Sequence, residues 1–116
     1  LSKLARRVYT IERIKNLLHK AEVIFKELKI SNIVSKYADG NMGWDEQVPF
    51  DRIIITAATS KISKEIEAQI HEGGIIVSPM IIDNKQLIMR YRKVNNLLKS
   101  EIFDNVFFVP NLSGTE

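Results

Sequence analysis

Apolar and polar residues alternate between two periods along this chain, and the changes of period mark its elements. Residues 7–11 (Arg7-Val8-Tyr9-Thr10-Ile11) are β-branched and aromatic, which predicts a strand. The next segment places Ile14, Leu17, Leu18, Ala21, Ile24, Phe25 and Leu28 on one helical face, with Lys15, Lys20, Lys26 and Lys29 on the other. Glu22 and Lys26 are spaced for an i,i+4 pair. A second strand, 33–37, is ended by the turn formers Asp39-Gly40-Asn41. The two strands should therefore be parallel neighbours joined by a right-handed helical crossover.

Beyond the loop that holds Gly43, Trp44 and Pro49, the continuous apolar run 52–56 (Arg52-Ile53-Ile54-Ile55-Thr56) suits a strand buried on both faces. A helix is expected to start near Ser60 or Ser63, to turn Ile62, Ile66 and Ile70 to one side, and to stop at Gly73-Gly74, with a strand over 74–80. No further helix follows. Strands over 86–92, 98–102 and 106–109 are separated by Asp83-Asn84-Lys85, Asn95-Asn96 and Asp104-Asn105, all of them turn chemistry, so these strands are antiparallel. The pattern describes one α/β domain over 1–116, parallel through residue 80 and antiparallel over 81–116.

Composition narrows this picture. A chain of 116 residues that is 45% hydrophobic can bury a core. No apolar stretch approaches the roughly 20 residues needed to span a bilayer, and Leu1 to Arg7 contains no signal-like apolar run, which predicts a soluble cytoplasmic protein without membrane contact. With no cysteine, thiolate catalysis, disulfides and zinc-cysteine sites are excluded, and no metal is expected. Charge is uneven. Nine basic residues face three acidic ones through Lys36, against eight and eleven in the remainder. The basic side chains are spread around a helix without interleaved aromatics, so a solvated face accounts for them better than nucleic-acid binding does.

Six short stretches together resemble one enzyme family: Val8-Tyr9-Thr10-Ile11-Glu12-Arg13-Ile14, Ala38-Asp39-Gly40-Asn41-Met42-Gly43-Trp44, Val48-Pro49-Phe50-Asp51, Thr56-Ala57-Ala58, Glu72-Gly73-Gly74-Ile75-Ile76-Val77-Ser78-Pro79 and Phe108-Val109-Pro110. Their order and spacing are similar to the C-terminal part of protein-L-isoaspartate O-methyltransferases. The Asp-Gly-x-x-Gly-Trp stretch with the Phe-Val-Pro ending is the most particular element. Thr59 stands where the family usually has proline, and Ile62-Ser63 where it has Ile-Pro.

The resemblance implies a class I S-adenosylmethionine-dependent methyltransferase sheet, Rossmann-like, incomplete, with a C-terminal antiparallel hairpin. It implies S-adenosylmethionine as cofactor, and methyl transfer to the α-carboxylate of L-isoaspartyl residues in damaged proteins or peptides as the activity of the whole enzyme. The ester then cyclises to a succinimide that can reopen to aspartate. It makes Glu12 the acceptor for the ribose hydroxyls, as the acidic residue of dinucleotide folds is; the plainer reading is an acidic residue in the first turn of a helix. Asp39 and Gly40 would embrace the adenine, the carboxylate accepting from its amino group, or else form an ordinary Asp-Gly turn. Ala57 would leave room for the cofactor or simply end a strand. Phe108, Val109 and Pro110 match a segment near the substrate pocket.

No catalytic residue is assigned: His19 and His71 read as solvated or helix-dipole positions, Trp44 as packing, and Arg90, Arg92 and Lys93 as a solvated strand edge. The family's glycine-rich loop and its serine- or threonine-bearing substrate segment fall before the stretch matched by residues 7–11; neither lies within these 116 residues, and Gly43 and Gly73-Gly74 cannot replace the loop. Leu1 to Ala5 reads as the tail of the helix that follows it. Three readings follow: a repair methyltransferase awaiting a complementing N-terminal segment, a catalytically inactive fragment kept as an interaction module, or a basic nucleic-acid-binding domain. The first carries an expectation of self-association or of binding that segment, because the strands over 7–11 and 52–56 flank a family strand absent from this stretch.

Overall fold

A computed structural model describes all 116 residues, which form two compact units: Leu1–Asn41 with Ser113–Glu116, and Met42–Leu112. No helix is long and apolar enough to cross a membrane.

The first unit is a strand–helix–strand crossover. Strand β1 (Val8–Glu12) pairs in parallel with β2 (Ile33–Tyr37), in a register that sets Val8 opposite Ile33 and Glu12 opposite Tyr37. Helix α1 (Lys15–Glu27) links them. Its apolar stripe is only partly covered: Leu18 is buried and Phe25 half-buried, while Leu17, Ile24 and Leu28 remain exposed. Two strands are narrower than the stripe the sequence presents. Glu22 accepts a hydrogen bond from the Ser35 hydroxyl of β2, tying helix to strand. Residues 1–5 form one turn, held by Asn32 Nδ2 donating to the carbonyls of Ser2 and Ala5.

The second unit has sheet order β3-β4-β5-β6. β3 (Phe50–Ile54) runs parallel to β4 (Ile70–Ile82) through the short helix α2 (Lys64–Gln69). The remaining strands, β5 (Lys85–Val94) and β6 (Leu97–Asn105), form an antiparallel meander with β4. Both hairpin loops have two residues, Asp83-Asn84 and Asn95-Asn96, all with φ between 50° and 60°. That is the type I′ geometry whose twist matches the flanking strands, and asparagine and aspartate tolerate it best outside glycine. The core is Ile66, Ile70 and Ile76, with Ile53, Ile55, Ile62, Tyr91 and Leu98 against it.

Several expectations are corrected here. Gly73-Gly74 does not stop a helix. Helix α2 ends at Gln69, and Lys93 Nζ donates to the carbonyls of Glu67 and Ile70, both at 3.0 Å, satisfying its C-terminal acceptors from another strand. The glycines instead lie in β4, where the partners jump from Phe50↔Ile70 to Arg52↔Ile75, and Gly73 takes the φ of +80° the bulge requires. His71 therefore sits on a strand, not in a helical turn. Arg90 and Lys93 are not a solvated edge, because β5 is an inner strand: Arg90 pairs with Glu101 of β6 and lies 5.2 Å over the Phe103 ring. β6 continues through Asp104-Asn105, which is no turn, and residues 106–109 form no strand; Ala58 instead makes an isolated parallel bridge to Pro110. β3 is not covered on both faces, since Ile54 stays 51% exposed, and only one of its edges is paired, with β4.

Candidate functional site

Ligands of open α/β sheets bind outside the carboxyl ends of parallel strands, because loops there converge and helix N-termini point toward them. In the first unit, the parallel register carries Glu12 and Asp39 to that same end. Glu12 closes β1 opposite Tyr37, its carbonyl accepts from Ala38 N at 3.2 Å, and Asp39 follows one residue later. The half-buried Glu12 lies at the strand end, before the helix begins at Lys15, so the first-turn reading does not describe it. Its Oε1 accepts from Ile14 N at 2.9 Å, which orients the carboxylate and leaves Oε2 available to a ligand.

Asp39 is more heavily engaged. Oδ1 accepts from Asn41 N at 2.9 Å and from Asn41 Nδ2 at 3.1 Å, and Oδ2 accepts from Gly114 N at 3.0 Å. Desolvation opposes its ionisation, but the hydrogen bonds from Gly114 and Asn41, with the nearby Arg13 cation, outweigh it and hold the carboxyl below its ordinary value. Arg13 joins the same group: Nε donates to the Gly114 carbonyl at 3.1 Å and its guanidinium pairs with Glu116 at 3.1 Å. Residues 113–116 are thus fastened beside Asp39. Gly40 is exposed and opens a single 3-10 turn, Gly40–Met42; a Cβ there would meet nothing within 4 Å.

In the second unit, Ala57 is half-buried just past the end of β3, and its neighbour Ala58 is buried, held by Val109 O at 2.7 Å. Sequence reasoning missed Gln69. Its side chain, 3% exposed, accepts from Trp44 N at 2.8 Å and donates to Met42 O at 2.9 Å and Asp45 Oδ1 at 2.7 Å, fixing the loop that follows Asp39-Gly40-Asn41. A polar residue on the inward side of an otherwise apolar helix face was the available signal. Trp44, half-buried, enters this network through its backbone. His71 bridges Asp51 (Nε2 to Oδ1, 2.6 Å) and the Glu72 carbonyl (Nδ1, 2.6 Å), and these two acceptors raise its pKa above the ordinary value.

The family model described as protein-L-isoaspartate(D-aspartate) O-methyltransferase matches residues 2–116. The chain belongs to this family. Among curated relatives, the protein-L-isoaspartate O-methyltransferase of Maricaulis maris is 42% identical over 115 residues, 98% of this chain and 54% of the relative. That of Helicobacter pylori strain G27 is 38% identical over 117 residues, all of this chain and 56% of the relative. The chain spans about half the length of the family members it matches. In structure it is similar to a solved protein-L-isoaspartate O-methyltransferase (TM-score 0.84, 22% identity, 90% of this chain and 33% of the other). It is also similar to a Plasmodium falciparum family protein solved with S-adenosyl-L-homocysteine (TM-score 0.80, 23% identity, 91% and 52%). Both likenesses support a Rossmann-like α/β fold; its strands here lie in two sheets, the parallel pair β1-β2 and the mixed β3-β4-β5-β6.

Proposed function

We propose that this chain is the nucleoside-binding portion of an S-adenosylmethionine-dependent protein-L-isoaspartate O-methyltransferase. The observation that carries the reading is the pair of acceptor carboxylates, Glu12 and Asp39, at the carboxyl ends of adjacent parallel strands. Glu12 Oε2 would accept from the ribose hydroxyls. The remaining acceptor capacity of Asp39 would meet the adenine amino group, with the ring over the open backbone of Gly40. Ala57, small and at the end of β3, would leave room in the second unit.

The cofactor supplies an electrophilic sulfonium methyl. The accepting α-carboxylate of an isoaspartyl protein or peptide is already ionised near neutral pH, so no general base is required and the protein's task is orientation. The cysteine-free sequence fits a cytoplasmic setting. β1 and β3 each have one sheet neighbour, and their open edges suit a complementing N-terminal segment of the kind the longer relatives supply, or a strand from another copy. The chain alone should then show negligible methyl transfer to an isoaspartyl peptide.

Calorimetric titration with S-adenosyl-L-homocysteine, on the chain complemented with that segment, tests the reading. Glu12→Ala should cost about 1–3 kcal/mol of affinity by removing a charged acceptor. An unchanged dissociation constant would sink the ribose assignment. The self-engagement of both Asp39 oxygens favours a second reading, an interaction module without cofactor; undetectable binding at about 1 mM ligand, roughly 4 kcal/mol, would select it.

A further inference from the structure

β6 ends the four-stranded sheet, and which of its backbone groups face outward follows from the ladder. Val106 N donates to Gln86 O, so Gln86 points its peptide groups toward β6, and alternation along β5 gives Arg90 and Arg92 the same direction. Their partners Glu101 and Lys99 therefore exchange hydrogen bonds with β5. Leu98, Ser100 and Ile102 then turn their N–H and C=O groups to the open edge. Around them lie exposed apolar side chains: Leu97 is 66%, Ile102 60% and Phe103 55% exposed.

Sheet edges are commonly blunted by charge. Of the three charges on β6, Lys99, Glu101 and Asp104, the first two have opposite sign and stand symmetrically about Ser100, with Lys99 before it and Glu101 after it. Lys99 is poorly served within its own chain, since its cross-strand neighbour on β5 is Arg92. Glu101 is bound to Arg90 on one side only, the side toward β5.

From this arrangement we infer that β6 is a homodimer edge: two copies pair their β6 strands antiparallel about a two-fold axis at Ser100, making one eight-stranded sheet. In that register Ser100 faces Ser100, each exchanging its outward N–H and C=O, and Leu98 faces Ile102 as the next hydrogen-bonded pair. Lys99 of each copy faces Glu101 of the other, so the row across the interface reads Arg92, Lys99, Glu101, Arg90 with the like-charged pair relieved. Exposed Leu97 and Phe103 are brought opposite each other as well. The neighbouring registers that also match outward amides centre on residue 99 or 101 and oppose lysine to lysine or glutamate to glutamate. Charge thus selects the register. This interface is separate from the open edges of β1 and β3.

Sedimentation equilibrium of the 116-residue chain up to about 1 mM tests it. Wild type should associate to a dimer and no further through this edge, because a two-fold interface closes on itself. Lys99→Glu sets a second carboxylate against Glu101 at both symmetric positions and should raise the dissociation constant about tenfold or more, while improving the contact with Arg92, so its melt should not fall. Ser100→Pro removes an N–H that the intrachain ladder does not use and should also give monomers. Glu101→Lys alone should dissociate, yet an equimolar mixture of Lys99→Glu and Glu101→Lys chains should form a heterodimer, since both cross-strand pairs are then of opposite charge. A wild type that stays monomeric throughout overturns the proposal. So does a dimer indifferent to Lys99→Glu and Ser100→Pro, which would place association at another edge, and so does a mixture that fails to pair.

Discussion

Replacing Gly43 with alanine should unsettle the loop over residues 42–45. Gly43 is buried with φ +63°, and an added Cβ would lie 2.0 Å from Gln69 Oε1 and 2.6 Å from its Cδ. The left-handed backbone costs alanine about 1 kcal/mol. The clash is with the end of a side chain, which could swing away cheaply were it idle, but this amide holds Trp44 N, Met42 O and Asp45 Oδ1. Three hydrogen bonds at about 0.5–1.5 kcal/mol each would be strained or lost, partly replaced by water around the exposed Asp45. A net loss of about 2–4 kcal/mol is expected in urea unfolding. Gln69→Ala removes the obstacle and the bonds together, so the double variant should be markedly less destabilised than the sum of the singles. Gly40→Ala is the internal control, with no atom within 4 Å of the new methyl and no positive φ. Its stability should hold while affinity for an adenosyl ligand falls. A Gly43→Ala chain within about 0.5 kcal/mol of wild type, or strict additivity with Gln69→Ala, would refute the packing argument.

Asp39, whose folded pKa is depressed, contributes stability present above its unfolded value near 3.9 and lost as pH falls through the folded value; Asp39→Asn should flatten that acid limb in unfolding curves recorded below about pH 5. His71 has the opposite sign: its raised pKa gives stability fully present below about 6.5 and lost as pH rises through the folded value, and an NMR titration of its ring should move back toward the ordinary value in Asp51→Asn. Lys93→Met should cost about 1–3 kcal/mol in thermal or urea unfolding, because the Glu67 and Ile70 carbonyls lose a charged donor and the apolar stem alone is replaced.

What the sequence disclosed divides by the range of the interactions involved. β2 and the crossover around α1 were legible because period and turn residues are local signals, and two of the three asparagine-bearing turns expected among the antiparallel strands, Asp83-Asn84 and Asn95-Asn96, sit where the chain reverses, while Asp104-Asn105 does not. The placement of two candidate residues was legible in the same way. Glu12 and Asp39 are each marked by the end of an apolar strand pattern, and a parallel register between neighbours is enough to bring them to one end of the sheet. Asp39's engagement with Gly114 was not, since it depends on a tail 75 residues away in sequence.

Gly73-Gly74 shows why the remainder was hidden. After Ile62, Ile66 and Ile70, a pair of glycines fits a helix stop or a strand bulge equally well by local chemistry, since both need a residue that tolerates positive φ. The choice is made from outside the segment. Lys93 reaches the carbonyls at the end of α2, so no glycine is needed there, and Ile70 is freed to pair with Phe50 as a strand residue. The skipped register then thrusts His71 and Glu72 outward, His71 onto Asp51 of β3 and Glu72 onto the backbone N–H groups of Asn95 and Asn96. One lysine on β5 thereby decides where a helix ends, why a bulge follows and how the β5–β6 turn is held, and that turn in turn fixes which amides of β6 face outward.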